Sequence, residues 1–443
     1  MGHEAQRRMM ASKALIVGCS GLGVEVAKNC ILAGLSALVI VDPLPPTSYD
    51  LGGNFYLSPQ DLTSTCTTRS RASLCRDQLA ELNPYVHVSV PTDVTALTTD
   101  QIVPLLDTGV TCLVVTIPLS TNDLITLNNK CREVGASFIY SLATGVFGQV
   151  FCDFGPSFIC SDHDGNPPAT SQVESVIQEG DNLVIKVLED QGRHGLETGD
   201  VVTFARLKGI DGSLEAGKNY TVNVTGPYTF EIKGETIRSG SIEAQQGYIT
   251  QVKQPVSIAF ETYEKRLAEP GEFMMSDFAK FDRPALLHAA FQGLEQVRQE
   301  LGGEYPTPGD VAACTRVLEA TKAKYAEEMT PAQERIVLHL ASGAKAILSP
   351  MCAALGGIVG QEVLKACSGK FTPINGFFFL DADETLPDTL LPPDQVAPQN
   401  SRYDSQIAVF GKDIQDKLLD LNYFIIGAGA IGCEMLKNWA LMG

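Results

Sequence analysis

"ALIVGCSGLGVEVAKNCILAGLSALVIVD", residues 14–42, is the stretch on which the fold turns. An apolar run reaches a glycine, the chain enters a helical pattern, and a second apolar run ends on Asp42. Strand, glycine turn, helix and strand make a right-handed βαβ unit that opens a parallel sheet. The turn follows the spacing of a phosphate-cradling loop, G-x-G-x-x-G, with one departure. Gly18 and Gly23 hold the outer positions, Ser20 stands where the middle glycine belongs, and Gly21 comes one place late. A side chain there occupies the space of a phosphate, so this reads as a loop that keeps its fold and has lost its ligand. Asp42 argues the other way, because a live dinucleotide site places its ribose-binding acid ~20 residues after the first glycine.

Outward from this unit the alternation continues. "SRASLCRDQLAELN" reads as a helix ended by Pro84, "TCLVVTI" as a buried strand, and "STNDLITLNNKCREVG" as a helix closed by Gly135. "SFIYSLATGVFGQVFCDF" supplies one or two strands, which makes residues 1–157 an α/β doubly wound layer. The character changes at "SDHDGNPPA". From there to residue 257 short alternating runs such as "NLVIKVLE", "DVVTFARL", "NYTVNVTG", "YTFEIKG" and "GYITQVK" predict a small all-β insert. Residues 258–346 turn helical, as in "PALLHAAFQGLEQVRQEL". "PMCAALGGIVGQEVLKACSG" is a glycine-flecked helix whose small residues admit another backbone closely. "GFFFLDADE" looks like a returning strand, and "PDTLLPPDQVAPQN" is a proline-rich linker.

Composition narrows the function. A chain of 443 residues with 44% hydrophobic content carries two to four domains. A net charge of -19 opposes nucleic-acid binding, which needs clustered Lys and Arg. No apolar run is long enough to cross a bilayer. "RRMMASKALIVGCSG" mimics a leader, but Lys13 interrupts its apolar core, and "MGHEAQ" lacks the Ser or Thr of a myristoylation signal at Gln6. The 12 cysteines form no C-x-x-C pair, which reads as a reducing, intracellular setting.

The chain also repeats itself. Residues 2–34 fall without a gap on residues 411–443, with Gln6/Gln415, Gly18/Gly427, Gly23/Gly432, Glu25/Glu434, Lys28/Lys437, Asn29/Asn438 and Gly34/Gly443 identical. A gapless register through helix, strand, turn and helix signals duplication. The second copy carries "GAGAIG" with Gly427, Gly429 and Gly432 in the intact spacing. Those glycines serve the tight turn, the close approach of phosphate, and helix–strand packing, and the helix N-terminus offers free N–H groups to an anion.

Several stretches together resemble the single-chain ubiquitin-activating enzymes: "GLGVEVAKNCILAG", "LAELNPYVHV", "RHGLETGDVVTF", "SDFAKFDRPALLH", "GQEVLKACSGKFTP", "NSRYDSQIAVFG" and "GAGAIGCEMLKNWALMG". The resemblance runs over essentially the whole chain, as their N-terminal part. It implies an adenylation-type, Rossmann-like α/β fold: a doubly wound, mainly parallel sheet with an inserted small β-barrel-like domain and an inserted helical bundle. Residues 1–157 and 347–398 become an inactive adenylation domain. Residues 158–257 become the first catalytic-cysteine half-domain, 258–346 a four-helix bundle, and 399–443 the truncated start of the active adenylation domain. The implied activity joins the ubiquitin C-terminus to AMP, using ATP and Mg²⁺, and passes it to a cysteine as a thioester. Ubiquitin and ubiquitin-conjugating enzymes are the implied partners, in cytoplasm and nucleus. Gly427, Gly429, Ala430 and Gly432 match the nucleotide loop. Gly18, Ser20, Gly21, Gly23 and Asp42 form its degenerate counterpart, and Arg402 in "SRYD" would face that degenerate site. No cysteine here matches the family's nucleophile, and no residue its metal ligand, so the chain alone is expected to be inactive.

Blander readings stand beside these. Cys19 and Cys433 begin helices and are read as packing residues. "SDHDG" is read as a turn, since three adjacent loop residues wrap an ion poorly. His3, His87, His194, His288 and His339 are too scattered for zinc. Glu197 and Asp200 in "RHGLETGD" face solvent or the basic surface of ubiquitin. Poor solubility is expected around 421–443, where "YFIIG" lacks neighbouring strands. Two alternatives remain at this point: a non-catalytic scaffold docking through 349–369, and an NAD-dependent oxidoreductase using the first loop.

Overall fold

The computed structural model describes residues 2–63, 69–207, 214, 217–235, 247–275 and 277–443. The chain forms two compact units. Met1–Phe158, Ala259–Ser368 and Pro373–Gly443 make the first, and Ile159–Ile258 with Gly369–Thr372 the second. In chain order the strands are β1 Lys13–Val17, β2 Ala37–Val41, β3 His87–Ser89, β4 Cys112–Val115, β5 Ser137–Thr144, β6 Phe147–Asp153, β7 Phe158–Cys160, β8 Thr170–Glu179, β9 Asn182–Val187, β10 Val201–Ala205, β11 Asn219–Thr221, β12 Asn223–Val224, β13 Thr229–Lys233, β14 Tyr248–Gln251, β15 Val256–Ile258 and β16 Gly376–Asp381.

In the first unit one sheet runs in the order β16-β6-β5-β4-β1-β2-β3. Its middle is parallel: Ile16 lies between Ile40 and Val114, and Val114 lies beside Ile139. These strands read as unbroken Val, Leu and Ile because a parallel sheet is covered on both faces. The winding reverses between β4 and β1, and Gly18 follows β1 at that switch point, where such sheets place their ligands. β5 and β6 form an antiparallel hairpin with Thr144 opposite Phe147, turning through Gly145 at φ 56. So "SFIYSLATGVFGQVFCDF" is two strands. β16 then pairs antiparallel with β6, Phe378 opposite Val150, which makes "GFFFLDADE" the edge of the same sheet. β3 has no counterpart in the sequence reading, because a three-residue strand with an exposed His87 shows no apolar run.

Helix α1 His3–Met9 leads into β1, and α2 Gly21–Ala33, α3 Arg71–Glu81, α4 Thr99–Leu106 and α5 Thr121–Val134 join the parallel strands. α5 starts with the Ser120 side chain accepting from the Asp123 N–H and ends at Gly135, φ 72. That side-chain cap and left-handed glycine satisfy groups the helix ends would leave unpaired. Next come α6 Tyr263–Ala268, α7 Arg283–Glu300, α8 Val311–Lys322 and α9 Pro331–Ser342. They share one core with the sheet, in which Leu287, Leu294, Val317 and Leu340 join Phe138, Phe151 and Phe377. The chain closes with α10 Ser349–Ser368, α11 Pro393–Val396, α12 Asp404–Phe410, α13 Lys412–Leu419 and α14 Ala430–Met442.

α10 is the glycine-flecked helix, and two of its glycines, Gly356 and Gly360, face α2. A Cβ at Gly356 would lie 2.5 Å from Glu25 Cβ, and one at Gly360 2.9 Å from Asn29 Cβ, whereas Gly357 faces open space. Gly356→Val is expected to lower stability by about 1–3 kcal/mol through overpacking. Gly357→Ala should be neutral or add up to about 1 kcal/mol of helix propensity. Chemical denaturation midpoints read the pair, and equal losses at both positions would refute the packing account.

The seven-stranded sheet of the second unit has the order β11-β10-β14-β8-β9-β13-β12, and the strand pairs described in it are antiparallel. Val176, Ile185, Phe204, Phe230 and Ile249 fill it. "SDHDG" is a turn here: the Gly165 N–H donates to Asp162 at 3.0 Å, and Lys370 and Lys253 neutralise the two aspartates.

One expectation fails. The second copy of the duplication gives a helix but no strand, since residues 421–425 carry no regular structure. A strand exists by hydrogen-bonding to a neighbour, and among the described residues none lies beside "YFIIG". Phe424 and Ile426 are about as exposed as side chains can be, at 90% and 89%.

Candidate functional site

The two glycine loops have the same backbone. Gly18 has φ 103 and Gly427 φ 99, a region that L side chains avoid. Ser20 caps α2 at φ -77, ψ -169, and Gly429 caps α14 at φ -75, ψ -165. A Cβ on Gly23 would sit 2.1 Å from the Gly18 carbonyl oxygen, and one on Gly432 2.2 Å from that of Gly427. The first intrahelical bonds also correspond, Val24 N–H to Ser20 O at 3.0 Å and Cys433 N–H to Gly429 O at 2.9 Å. The duplication legible in the sequence is therefore a duplication of turn geometry.

What stands in front of each loop differs. The first is filled by its own chain: a Cβ on Gly18 would meet Ile117 at 2.5 Å, and one on Gly21 would meet Cys352 and Ile347 at 2.9 Å. Ser20 itself is buried and makes no capping bond with its side chain. Arg71 grips Asp42 through two nitrogens, Nε to Oδ2 at 2.9 Å and Nη2 to Oδ1 at 3.2 Å, and reaches Asp50 at 3.0 Å. Asp42 also accepts the Cys19 N–H at 2.6 Å and the Leu44 N–H at 3.1 Å. Burial pushes the Asp42 carboxyl above its ordinary value, and Arg71 draws it back. Asn54, fully buried, donates to the Cys19 carbonyl at 2.9 Å. The acid that could have held a ribose is thus occupied by the loop and by an arginine 29 residues downstream. The "SRYD" segment lies against this region: a Cβ on Gly52 would meet the Arg402 carbonyl at 2.8 Å, and Ser405 Oγ accepts the Ile347 N–H at 3.1 Å.

The second loop is open. A Cβ at Gly427 or Gly429 meets nothing within 4 Å, and Ala430 is exposed. The N–H groups ahead of the Cys433–Gly429 bond have no intrahelical partner and point out of the helix N-terminus. These residues fit a phosphate. They do not by themselves supply Mg²⁺ ligands. Among the described residues, one trio of carboxylates is close enough to share an ion, Asp381, Asp383 and Glu384. Lys280 and Arg283 already neutralise it at 2.5 to 3.2 Å.

Between the two copies runs a seam made of duplicated residues. Lys28 pairs with Glu25 and with Glu434, both at 2.7 Å; Lys437 pairs with Glu434 at 2.8 Å and with Glu25. Both ammonium groups face the Phe55 ring, Lys437 at 4.8 Å and Lys28 at 5.7 Å from its centre. Burial alone lowers the Lys28 pKa, but its bonds to Glu25 and Glu434 outweigh that and hold it above the ordinary value. Asn29 and Asn438, another repeated pair, each bond α10, at Gly356 O (2.9 Å) and Ser349 Oγ (2.6 Å). The sequence showed these identities, but not that the identical residues meet.

Such a chain, with its doubly wound sheet and paired glycine loops, falls in the adenylation-type class. Residues 403–443 match the ThiF family, 254–324 the ubiquitin-activating enzyme E1 four-helix bundle, and 180–253 the ubiquitin-activating enzyme E1 FCCH domain. The whole chain aligns with Ubiquitin-activating enzyme E1 1 of Triticum aestivum at 40% identity, covering 41% of that protein. It aligns at 40% with the protein of that name from Schizosaccharomyces pombe, covering 42%. With Ubiquitin-like modifier-activating enzyme 1 of Homo sapiens the identity is 38%, covering 41%. Along its whole length the chain is similar to the N-terminal part of ubiquitin-activating enzyme E1 proteins, and it spans about two fifths of the length of these relatives.

Proposed function

We propose that this chain serves ATP-dependent activation of ubiquitin, contributing a blind adenylation half and the phosphate loop of a live one. The observation that carries the reading is the pair of equivalent loops, one packed shut and one with an open cradle at Gly429. In that reaction the ubiquitin C-terminal carboxylate attacks the ATP α-phosphorus and pyrophosphate leaves, giving an acyl adenylate; a thiolate then attacks the acyl carbon and AMP leaves. Mg²⁺, when bound, would neutralise phosphate charge. The part of the chain's own residues is narrower. The N–H groups at the start of α14 hold phosphate oxygens, Gly427 makes the turn, and Gly432 lets helix and turn close on each other.

No nucleophile is assigned to the described cysteines. Ten are buried, and Cys433 Sγ lies 3.4 Å from the Ala428 carbonyl within the loop itself; Cys66 lies outside the described residues. None of the described cysteines is in a disulfide, which supports the cytoplasmic and nuclear setting that goes with this proposal. Ubiquitin and ubiquitin-conjugating enzymes are its proposed partners. The oxidoreductase reading loses its anchor, because Asp42 is engaged by Arg71 and two backbone N–H groups.

Ubiquitin-dependent exchange of pyrophosphate into ATP tests the proposal. The 443-residue chain is expected to be silent, and a chimera in which it replaces the matching segment of the Schizosaccharomyces pombe relative is expected to exchange. A silent chimera that folds and still binds ubiquitin would favour the scaffold reading instead.

A further inference from the structure

Within the first unit, a cavity of about 310 Å³ lies over β5, β6 and β16, with α7 on its other side. That is the small end of the range for ligand pockets, about 300–1,000 Å³. It is remote in sequence from both glycine loops and takes no part in the proposed activation.

Three of its lining side chains are polar, buried and without a side-chain hydrogen bond among the described residues. Tyr140 is 3%, Tyr263 5% and Gln149 7% exposed. The Tyr140 and Tyr263 hydroxyls and the Gln149 amide make no hydrogen bond to a described residue. A buried polar group left unpaired costs about 1–3 kcal/mol, and folded proteins pair nearly all of them. This chain does so too: the sealed side-chain atoms lacking a partner among the described residues are on Thr203, Arg266, Arg283 and Asp404. None of these lines the cavity, so the two tyrosines and Gln149 present their polar atoms to its open space.

The register makes the arrangement. Leu142 on β5 stands opposite Gln149 on β6, and Tyr140 opposite Phe151, which in turn is opposite Phe377 on β16. Aromatic walls and an amide therefore share one side of the sheet. Two charged side chains line the cavity: Lys324 is exposed, and Glu295 is paired. Glu295 is held by Arg298 through both oxygens, at 2.7 and 2.9 Å, and His288 is bound to the Leu267 carbonyl at 3.1 Å. Burial lowers the His288 pKa, which favours the neutral imidazole.

We propose that this cavity binds a small, uncharged, planar heteroaromatic amide, its ring against Phe377 and Tyr263 and its edge paired with the Gln149 amide and the tyrosine hydroxyls. An amide edge offers both donor and acceptor to Gln149, a uniform hydrocarbon offers neither, and an anion would lose hydration with only the exposed Lys324 ammonium on the lining to replace it.

Saturation-transfer NMR and calorimetry on the full 443-residue chain, with nicotinamide and with uracil as probes and benzoate as the charged control, decide the matter. The expected result is binding of at least one neutral probe with a Kd on the order of 1 mM or below, and benzoate about tenfold weaker or silent. Gln149→Leu, and separately Tyr263→Phe, should each weaken the neutral probe by about tenfold while leaving the melting temperature near that of the parent. Two variants are needed so that one folding failure does not void the test. The proposal is overturned if neither probe binds up to roughly 5 mM, which would leave a water-filled cavity. Binding insensitive to both substitutions would overturn it equally.

Discussion

Replacing Arg71 by methionine is expected to cost the first unit about 3–5 kcal/mol, one of the two largest effects foreseen for this chain. The guanidinium holds two carboxylates whose side chains are fully buried, Asp42 and Asp50. Removing it leaves two uncompensated charges in a packed interior, and their mutual repulsion adds to the desolvation. Arg71→Lys should recover only part of the loss, because one ammonium cannot reproduce the forked contact to Asp42 and also reach Asp50. Asp42→Asn and Asp50→Asn added to Arg71→Met should restore more than half, since removing a buried ion triad whole is far cheaper than breaking it. Hydrogen exchange of the β1 and α2 amides reads the effect where it arises. A loss of roughly 3 kcal/mol or more is a drop of over a hundredfold in protection. A drop below about fivefold would mean the carboxylates find solvent, and that Asp42 is free enough to serve a ligand after all.

How far this could be read beforehand depends on which residues carry the signal. β1, β2 and β4 announce themselves as apolar runs bounded by glycine, and α5 by Ser120 and Gly135 at its ends. β8 is the longest strand of the second unit, yet a bulge between Val173 and Ser175 breaks its alternation, so its period of two cannot be followed. "YFIIG" has the composition of a strand and is not one, because strand character resides in a neighbour as much as in the segment. At the first loop, Ser20 and Gly21 showed the departure from the glycine spacing, and the structure adds that the loop is packed by its own chain. The fate of Asp42 did not show, because Arg71 sits on a different helix. The seam of Glu25, Lys28, Glu434 and Lys437 was hidden for the same reason. Repetition names residues that correspond, and only the fold makes them touch.

Gly429→Ser should abolish nucleotide chemistry, by about a hundredfold or more in the exchange activity of the chimera, while Ser20→Gly should leave it unchanged. Nothing in the fold requires glycine at 429. Its φ of -75 is open to any residue, and Ser20 holds the same conformation at φ -77. Its Cβ would meet no described atom within 4 Å, so packing does not require glycine either. A serine there should leave the fold intact, and the melting temperature of the variant should not move. What remains is the approach of a ligand: a side chain at this point stands about where a phosphate oxygen must come against the backbone. Gly432→Ala is the contrast, for its Cβ would lie 2.2 Å from the Gly427 carbonyl and must distort the turn. That variant should lose activity and local stability together, whereas Gly429→Ser should lose activity alone. If Gly429→Ser keeps its exchange activity, the open cradle is not where phosphate lies. If instead Ser20→Gly gains ATP binding, the first loop is closed by its serine alone. Ile347, Cys352 and the Asp42–Arg71 pair would then not be what shuts it, against the geometry that places them there.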